Sequence, residues 1–375
     1  EFFRKCSRFG FAISIILLLL LLIIGDEVNG AVRFITIGGF QIHVFEIVKV
    51  AMMMYIAWAI DALENNRKLF IEKPAFLKDK LNFLKKPVVR RIIMLYVPFF
   101  LTIPLVMHGS NSAALLLSAI MIITIAVGTN EIKRSLILIG ILLVIITGAY
   151  CIYATTKNTA HPQFERVGTA IGRIFPGTPE KDYKLADNAA DKQIALDKLR
   201  QPFSAKLAIK QGGLLGKGPG QSTQRYVVPD MSEDYMFSFI IEEYGLLSLF
   251  VIMLYLSLLA RGTLIIKSCT NNLFAKCAIF GLVLLISGQA SLHIAVNMGW
   301  ILTGQTLPML SHGSFAFICF SIAFGIILSI SRIANRGMAK LSKEAAPIIE
   351  PSTNDNISEG LSDLDNFETD GIQTN

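Results

Sequence analysis

Charged side chains are scarce. Asp, Glu, Lys and Arg make up 17% of the chain, where an ordinary soluble domain carries about 25%, and 53% of the residues are hydrophobic. That balance excludes a water-soluble globular protein, because too little polar surface exists to cover the apolar remainder. Cysteine is sparse as well. Cys6, Cys151, Cys269, Cys277 and Cys319 are scattered, mostly in or beside apolar runs, and no spacing among them fits a metal site or a disulfide framework; we read them as packing residues. His43, His108, His293 and His312 form no metal spacing and are read as polar residues at the membrane interface. No metal ligand is assigned, and a requirement for a divalent cation stays open. The formal charge of +7 would suit nucleic acid, but the Lys and Arg residues gather in short loops beside apolar spans, as a topology signal does, and form no soluble basic patch. No paired broken helices recur in two halves, so a transporter of the inverted-repeat kind is not indicated.

What the chain does have is long apolar runs. A helix needs roughly 20 apolar residues to cross the hydrocarbon of a bilayer, and the runs predict an all-α, polytopic integral membrane protein with eight transmembrane helices, at about 9–25, 44–62, 92–108, 112–128, 135–152, 236–259, 277–297 and 313–331. The first run is longer than the apolar region of a signal peptide and lacks a small-residue cleavage site. The third and fourth spans share a tight turn at His108, Gly109, Ser110 and Asn111. Arg4, Lys5 and Arg8, then the basic loop from Arg67 to Arg91, then Lys133 and Arg134, Arg261 and Lys267, and Arg332 to Lys343 all fall on one face. The excess of Lys and Arg makes that face cytoplasmic, so both ends of this chain are expected inside. Residues 1–334 form the membrane domain and include one long extracytoplasmic loop, 153–235. Within that loop Leu185, Ala189, Leu196 and Leu199 recur at near-helical spacing, which suggests an amphipathic helix on the membrane surface. Residues 335–375 form a cytoplasmic tail; from Glu350 onward it is acidic, carries no basic residue and is expected to be disordered.

The chemistry-bearing residues cluster towards the outside. Gln211 to Glu243 holds Gly212, Gly213, Gly216, Lys217, Gly218 and Gly220, then Gln224 and Arg225, then Glu233 and Asp234, then Glu242 and Glu243. Glycine lets the backbone come close to a bulky ligand, and Lys and Arg hold phosphate. The stretch is not a P-loop, because Gly218 stands where Ser or Thr must follow Gly-Lys. Asp234 lies where a loop re-enters the bilayer, ahead of Tyr235, Met236 and Phe237. Partial desolvation there favours a general base; a helix N-terminal Asp complementing the dipole fits the spacing equally well. Glu46 and Lys49 stand three apart on one helical face. Ionisable groups in a span default to a functional hypothesis, with a structural ion pair as the alternative. Met52, Met53 and Met54 read as a core run.

These motifs together resemble the SEDS family (shape, elongation, division and sporulation), over nearly all of the chain from Glu1 to about Arg332. Asn29-Gly30-Ala31 with Arg33-Phe34-Ile35 resembles the family's N-G-A-x-R-W-I. Glu46 and Lys49 match its E-x-x-K. Gly212 to Gly220, with Gln224-Arg225 and Pro229, match G-G-L-x-G-K-G-P-G and Q-R-x-x-x-P. Asp234-Tyr235-Met236-Phe237 matches D-F-I-F, Ile241 to Gly245 matches I-E-E-Y-G, and Asn297-Met298-Gly299, Thr303 to Pro308 and Ser311-His312-Gly313 resemble the closing signature. The family has ten spans, and the first span here resembles its third, which implies two preceding ones. The Gly304-Gln305-Thr306 stretch favours the family's division branch over its elongation branch.

The resemblance implies a peptidoglycan glycosyltransferase that polymerises lipid II, with Asp234 as catalytic carboxylate and undecaprenyl pyrophosphate as leaving group. It implies substrate-binding roles for Arg33, Glu46, Lys49, Lys206, Lys217, Gly218, Gly220, Arg225, Asn297, Pro308 and Ser311. It also implies a class B penicillin-binding protein (a transpeptidase) and other division proteins as partners, and the bacterial inner membrane as location. A lipid II flippase and a non-catalytic division scaffold are the competing readings. His312 in place of the signature's tyrosine, Phe34 in place of tryptophan and Glu233 beside Asp234 mark a divergent member; the extra charge of Glu233 would raise the pKa of the neighbouring base.

Overall fold

A computed structural model of the protein describes residues 2–28, 31–37, 40–65, 86–130, scattered positions between 136 and 148, 189–226, 232–269, 272–301 and 304–345. Most of the expected fifth span, residues 153–188 and 227–231 of the long loop, the basic loop at 66–85, Asn29, Gly30, Thr303 and the acidic tail beyond 345 lie outside the described residues.

The architecture is mainly helical. After a short helix α1 (Phe2–Ser7), helix α2 (Gly10–Ile24) is followed by three strands, β1 (Asp26–Val28), β2 (Ala31–Ile37) and β3 (Phe40–His43), and then by α3 (Val44–Glu64). Next come α4 (Pro87–Gly109) and α5 (Asn111–Thr129), α6 (Ala189–Gly212), α7 (Met236–Tyr244), α8 (Leu249–Ser268), α9 (Leu273–Asn297) and α10 (Ser314–Ala345). A single 3₁₀ turn, Gly245–Ser248, joins α7 to α8.

Among the described residues, five segments are long and apolar enough to cross a membrane: Pro87–Gly109, Asn111–Thr129, Met236–Ser268, Leu273–Asn297 and Ser314–Arg336. The protein is therefore an integral membrane protein, and these five coincide with expected spans. Helix α2 has 15 residues, below the roughly 20 that a perpendicular crossing takes. Helix α3 has 21 residues, but Glu46, Lys49, Asp61 and Glu64 interrupt its apolar character. The purely α expectation needs correction at 26–43, where the strands form an antiparallel sheet in the order β1-β2-β3, with Phe34 opposite His43 and Ile37 opposite Phe40.

Two helices form the centre of the first compact unit, Glu1–Arg332. Between Lys49 and Asp61 helix α3 is apolar on every side and buries Met52, Met53, Ile56, Ala57, Ala59 and Ile60, as a helix surrounded by other helices does. Helix α9 packs along it through a similar set that includes Ala278, Ile279, Leu282, Leu285 and Ile286. Hydrophobicity supplies little drive between helices in lipid, so close approach at small residues matters. Gly10 of α2 faces Ala51 of α3, where an added Cβ would lie 2.5 Å from the Ala51 carbonyl oxygen.

The turn between α4 and α5 matches its expected place, with Ser110 capping α5 by accepting from the Ala113 amide. Sheet and turn then meet: a Cβ on Gly109 would lie 2.3 Å from the Val32 carbonyl oxygen. Charges gather at the opposite end of α3, where Arg4 lies 3.9 Å from Asp61 and Arg91 3.1 Å from Glu64. The second unit, Ile333–Asn375, continues α10 to Ala345.

Candidate active site around Asp234

Helix α7 begins without a capping side chain of its own, yet its first amides are satisfied. The Phe237 amide donates to His293 Nε2 at 3.2 Å and the Ser238 amide to Asn297 Oδ1 at 2.8 Å. Both acceptors come from α9. Asn297 also accepts from the Ser238 hydroxyl and donates through Nδ2 to the Asp234 carbonyl, at 3.2 Å. Ser311 donates to the Glu233 carbonyl at 2.7 Å, and the His312 amide donates to the Ser232 carbonyl at 3.0 Å. Residues 232–235 are thus held by main-chain contacts from both sides.

The segment 304–312 is the other half of the site. A Cβ on Gly304 would lie 2.5 Å from Asp234 Oδ2 and 3.2 Å from Oδ1, so the carboxylate rests directly on the Gly304 backbone. His293 Nδ1 meets the Gln305 carbonyl at 2.6 Å, and Gln289 Nε2 donates to the Thr306 carbonyl at 3.1 Å. Tyr255 donates to the Pro308 carbonyl, and the Leu307 amide donates to Ser311 Oγ at 2.7 Å. Asn297, Pro308 and Ser311 are all buried, and their polar atoms hold chain to chain.

A cavity of about 220 Å³ is lined by Arg225, Ser232, Met236, Phe239, Leu310 and His312; Ser232 and Met236 stand two residues before and two after Asp234 in the chain. Helix α6 closes the flank through Ala205 and Ala208, which pack with Tyr235 and Val296. The expected amphipathic helix accordingly runs further than its sequence pattern indicates, to Gly212. Residues 184–188 and the side chains of 189–199 lie outside the described residues. The Tyr235 hydroxyl is pushed up to about 12 by burial and then by the negative charge of Asp234. It keeps its proton at neutral pH.

The expected cations separate into two kinds. Lys49 is 1% exposed and donates to Glu46 at 2.7 Å and to Gln289 at 2.5 Å, so it is engaged inside the bundle. Lys217 spends its three donors on Gln211, Thr223 and Glu242, at 2.6, 2.7 and 2.6 Å. Lys206 and Arg225 are exposed. Lys206 lays its Cε–Nζ end against Gly299, and no described residue accepts a hydrogen bond from it. The Arg225 guanidinium lies 6.0 Å from the Tyr226 ring centre and lines the cavity. Arg33 sits on β2, with its side chain outside the described residues.

The glycine-rich stretch does two jobs. Gly212 and Gly216 press on the backbone of Ile241 and Glu243, where a Cβ would meet carbonyl oxygens at 2.1 and 2.3 Å. The amides of Lys217 and Gly218 donate to the carbonyls of Glu242 and Glu243. The buried Glu242 carboxylate accepts from Ser222 at 2.5 Å and from the Thr223 amide at 3.0 Å. Gly220 has no other atom within 4 Å of a built Cβ, and Gly218 has only Gln221, at 3.8 Å; these two border open space.

Residues 1–336 match the family model of the FtsW, RodA and SpoVE proteins, described as cell cycle proteins. The chain belongs to that family. It is the SEDS group that the motifs resembled. One relative in the family, from Caulobacter vibrioides (strain NA1000 / CB15N), is named a probable peptidoglycan glycosyltransferase FtsW. It is 26% identical over 331 residues, covering 88% of this chain and 73% of its own. A relative of the same name from Trichlorobacter lovleyi is 28% identical, covering 85% of this chain and 74% of its own. Among solved structures, a chain from a peptidoglycan synthase complex described as coordinating polymerization and crosslinking superposes with a TM-score of 0.58. It is 18% identical and covers 88% of this chain and 82% of that one. The SEDS chain therefore shares the fold of that complex's component.

Two residues central to the site carry no special mark when each is taken alone. His293 reads as an interface residue, and the structure corrects this: it is 0% exposed and bridges α7 to the 304–312 segment. Gln289 belongs to no motif quoted above. The available signal is their shared spacing with Asn297, since residues four apart lie on one helical face.

Proposed function

We propose that this chain is an inverting peptidoglycan glycosyltransferase that polymerises lipid II into glycan strands during septal wall synthesis. Its place is the outer face of the bacterial cytoplasmic membrane, with both ends of this chain inside. One observation carries the reading. A carboxylate, Asp234, rests on Gly304, and the main chain at 233–234 is pinned by Ser311 and Asn297. The cavity lined by Ser232 and Met236, the residues two before and two after Asp234, also holds Arg225, while Lys206 lies against Gly299, and neither cation is spent on a described carboxylate. The names of the relatives support the reaction and the division branch.

The chemistry follows from that arrangement. Asp234 takes the proton of the acceptor sugar's 4-hydroxyl, and the oxygen attacks C1 of the donor sugar. The bond from C1 to the pyrophosphate oxygen breaks, and undecaprenyl pyrophosphate leaves with the bonding electron pair. Lys206 and Arg225 stabilise the charge that grows on it, as fixed cations do at a developing anion. The apolar wall of Met236, Phe239 and Leu310 suits a ligand that enters sideways from the bilayer with its lipid attached. A class B penicillin-binding protein is the crosslinking partner this reading requires, alongside other division proteins; the fold shared with a component of a synthase complex supports it.

The test is polymerisation of purified lipid II by the full-length protein with its transpeptidase. Asp234→Asn is expected to lower the rate by about 10²–10⁴-fold, the usual worth of a general base, while the protein still folds and binds its partner. Lipid II translocation without polymer by the wild type would establish the flippase instead. Normal division of Asp234→Asn cells would establish the scaffold.

A further inference from the structure

Helix α9 carries Gln289, His293 and Asn297 at successive four-residue steps, all three at 0% exposure. Side chains so spaced stack on one face, and polar groups buried there must find partners or cost stability. Each does, and the partners converge. Gln289 accepts from Lys49 and donates to the Thr306 carbonyl. His293 receives the Phe237 amide at Nε2 and meets the Gln305 carbonyl at Nδ1. Asn297 receives the Ser238 amide and hydroxyl and donates to the Asp234 carbonyl. The first two rungs fix consecutive carbonyls just after Gly304, on which the Asp234 carboxylate rests. The last two fix consecutive amides just after Asp234 itself. No other described helix touches both halves of the site in this way.

We propose that Gln289, His293 and Asn297 form a positioning ladder that sets the angle of the Asp234 carboxylate, with His293 as its central rung in one defined form. An N–H arrives at Nε2 and a carbonyl oxygen at Nδ1, so the ring is neutral with its hydrogen on Nδ1. A second ring proton would face the Phe237 N–H. The ladder touches no substrate; it acts through the main chain on either side of the base. Asn297 thereby becomes a positioning residue in place of the substrate ligand that the family motif implies. The inference rests on Asp234 being the base.

The groups have distinct kinetic signatures. A residue that binds substrate changes KM, whereas one that only orients the base changes kcat. We would measure both with lipid II, using the full-length protein with its transpeptidase, for His293→Ala, His293→Gln, Asn297→Asp and Asp234→Asn, each normalised to the folded fraction from a thermal melt. Expected are a kcat at least tenfold lower for His293→Ala and Asn297→Asp with KM within twofold, and partial recovery in His293→Gln, which keeps one acceptor and one donor. Asn297→Asp keeps its shape and its acceptor for Ser238 while losing the donor to Asp234. Should His293→Ala fail to fold, Ser238→Ala, which deletes one hydroxyl, is expected to lower kcat in the same sense. Ladder variants at full kcat, or with KM as the main change, beside an inactive Asp234→Asn overturn the ladder and leave the carboxylate reading standing. A fully active Asp234→Asn overturns the carboxylate reading and the ladder with it.

Discussion

The Asp234 carboxylate rests on Gly304 with no room for even one more carbon. A methyl group at Gly304 would lie 2.5 Å from Oδ2 and 3.1 Å from Cγ, so Gly304→Ala must displace the carboxylate by about 1 Å, a shift worth up to about 10²-fold in rate. The expected outcome is a folded protein with a melting temperature near that of the wild type and a strongly reduced polymerisation rate. An unchanged rate would mean that the acceptor is not activated at this carboxylate. Asp234 itself is legible in the sequence, because a carboxylate ahead of an apolar run stands out against scarce charge. Gly304 is less so: a glycine in a loop signals a turn or a close approach, and only the fold says to what. The rungs on α9 fall between these cases. Their four-residue spacing inside an apolar run is visible, but each takes its meaning from a partner tens of residues or more away in the chain.

Elements differ in how openly the sequence declares them. The apolar runs of α4, α5, α8, α9 and α10 reach about the length a bilayer demands and leave little choice. The sheet before α3 shows a weaker trace, one run rich in β-branched residues (Ala31–Ile37) and a shorter one (Phe40–His43) on either side of Gly38-Gly39, which is a hairpin signal easily lost between two long apolar spans. The glycine-rich stretch after α6 offers another lesson, since glycines that allow a ligand to approach also allow a neighbouring strand of the same chain to do so. Here Gly216 and Gly245 face each other, and a Cβ on Gly245 would lie 2.5 Å from both the Gly216 amide nitrogen and the Leu214 carbonyl oxygen. Glu242 locks that contact through Lys217, Ser222 and Thr223. Weakening the hydrogen bonds to a buried carboxylate whose cation is partly exposed costs about 1–3 kcal/mol. Glu242→Gln is therefore expected to lower the melting temperature in detergent by several degrees and to make the 212–226 segment sensitive to protease. If the melting curve does not move, the lock carries no stability of its own.

At the scale of the whole bundle, the segments assigned to the outside by charge meet one another in space. The Val32 carbonyl packs on Gly109, Gln305 donates to Ser112 at 3.1 Å, and the 304–312 segment closes over Asp234. The Arg4, Arg90 and Arg91 contacts with Asp61, Ala62 and Glu64 gather at the other end of α3. A bundle whose polar segments sort to two ends in this manner has one consistent way to sit in a bilayer, and the excess of Lys and Arg chooses which end faces the cytosol. The reaction depends on that choice, because the acceptor and donor are tethered in one leaflet and the base must be in the same one. Single cysteines at Leu215, which is 92% exposed, and at Lys267, at the far end of α8, test it in a background with all five native cysteines replaced. A membrane-impermeant maleimide applied to intact cells with a permeable outer envelope is expected to label Leu215→Cys, and to reach Lys267→Cys only after the inner membrane is broken. The opposite pattern would put Asp234 on the wrong side of the membrane from a translocated substrate and would end the proposal that it polymerises one.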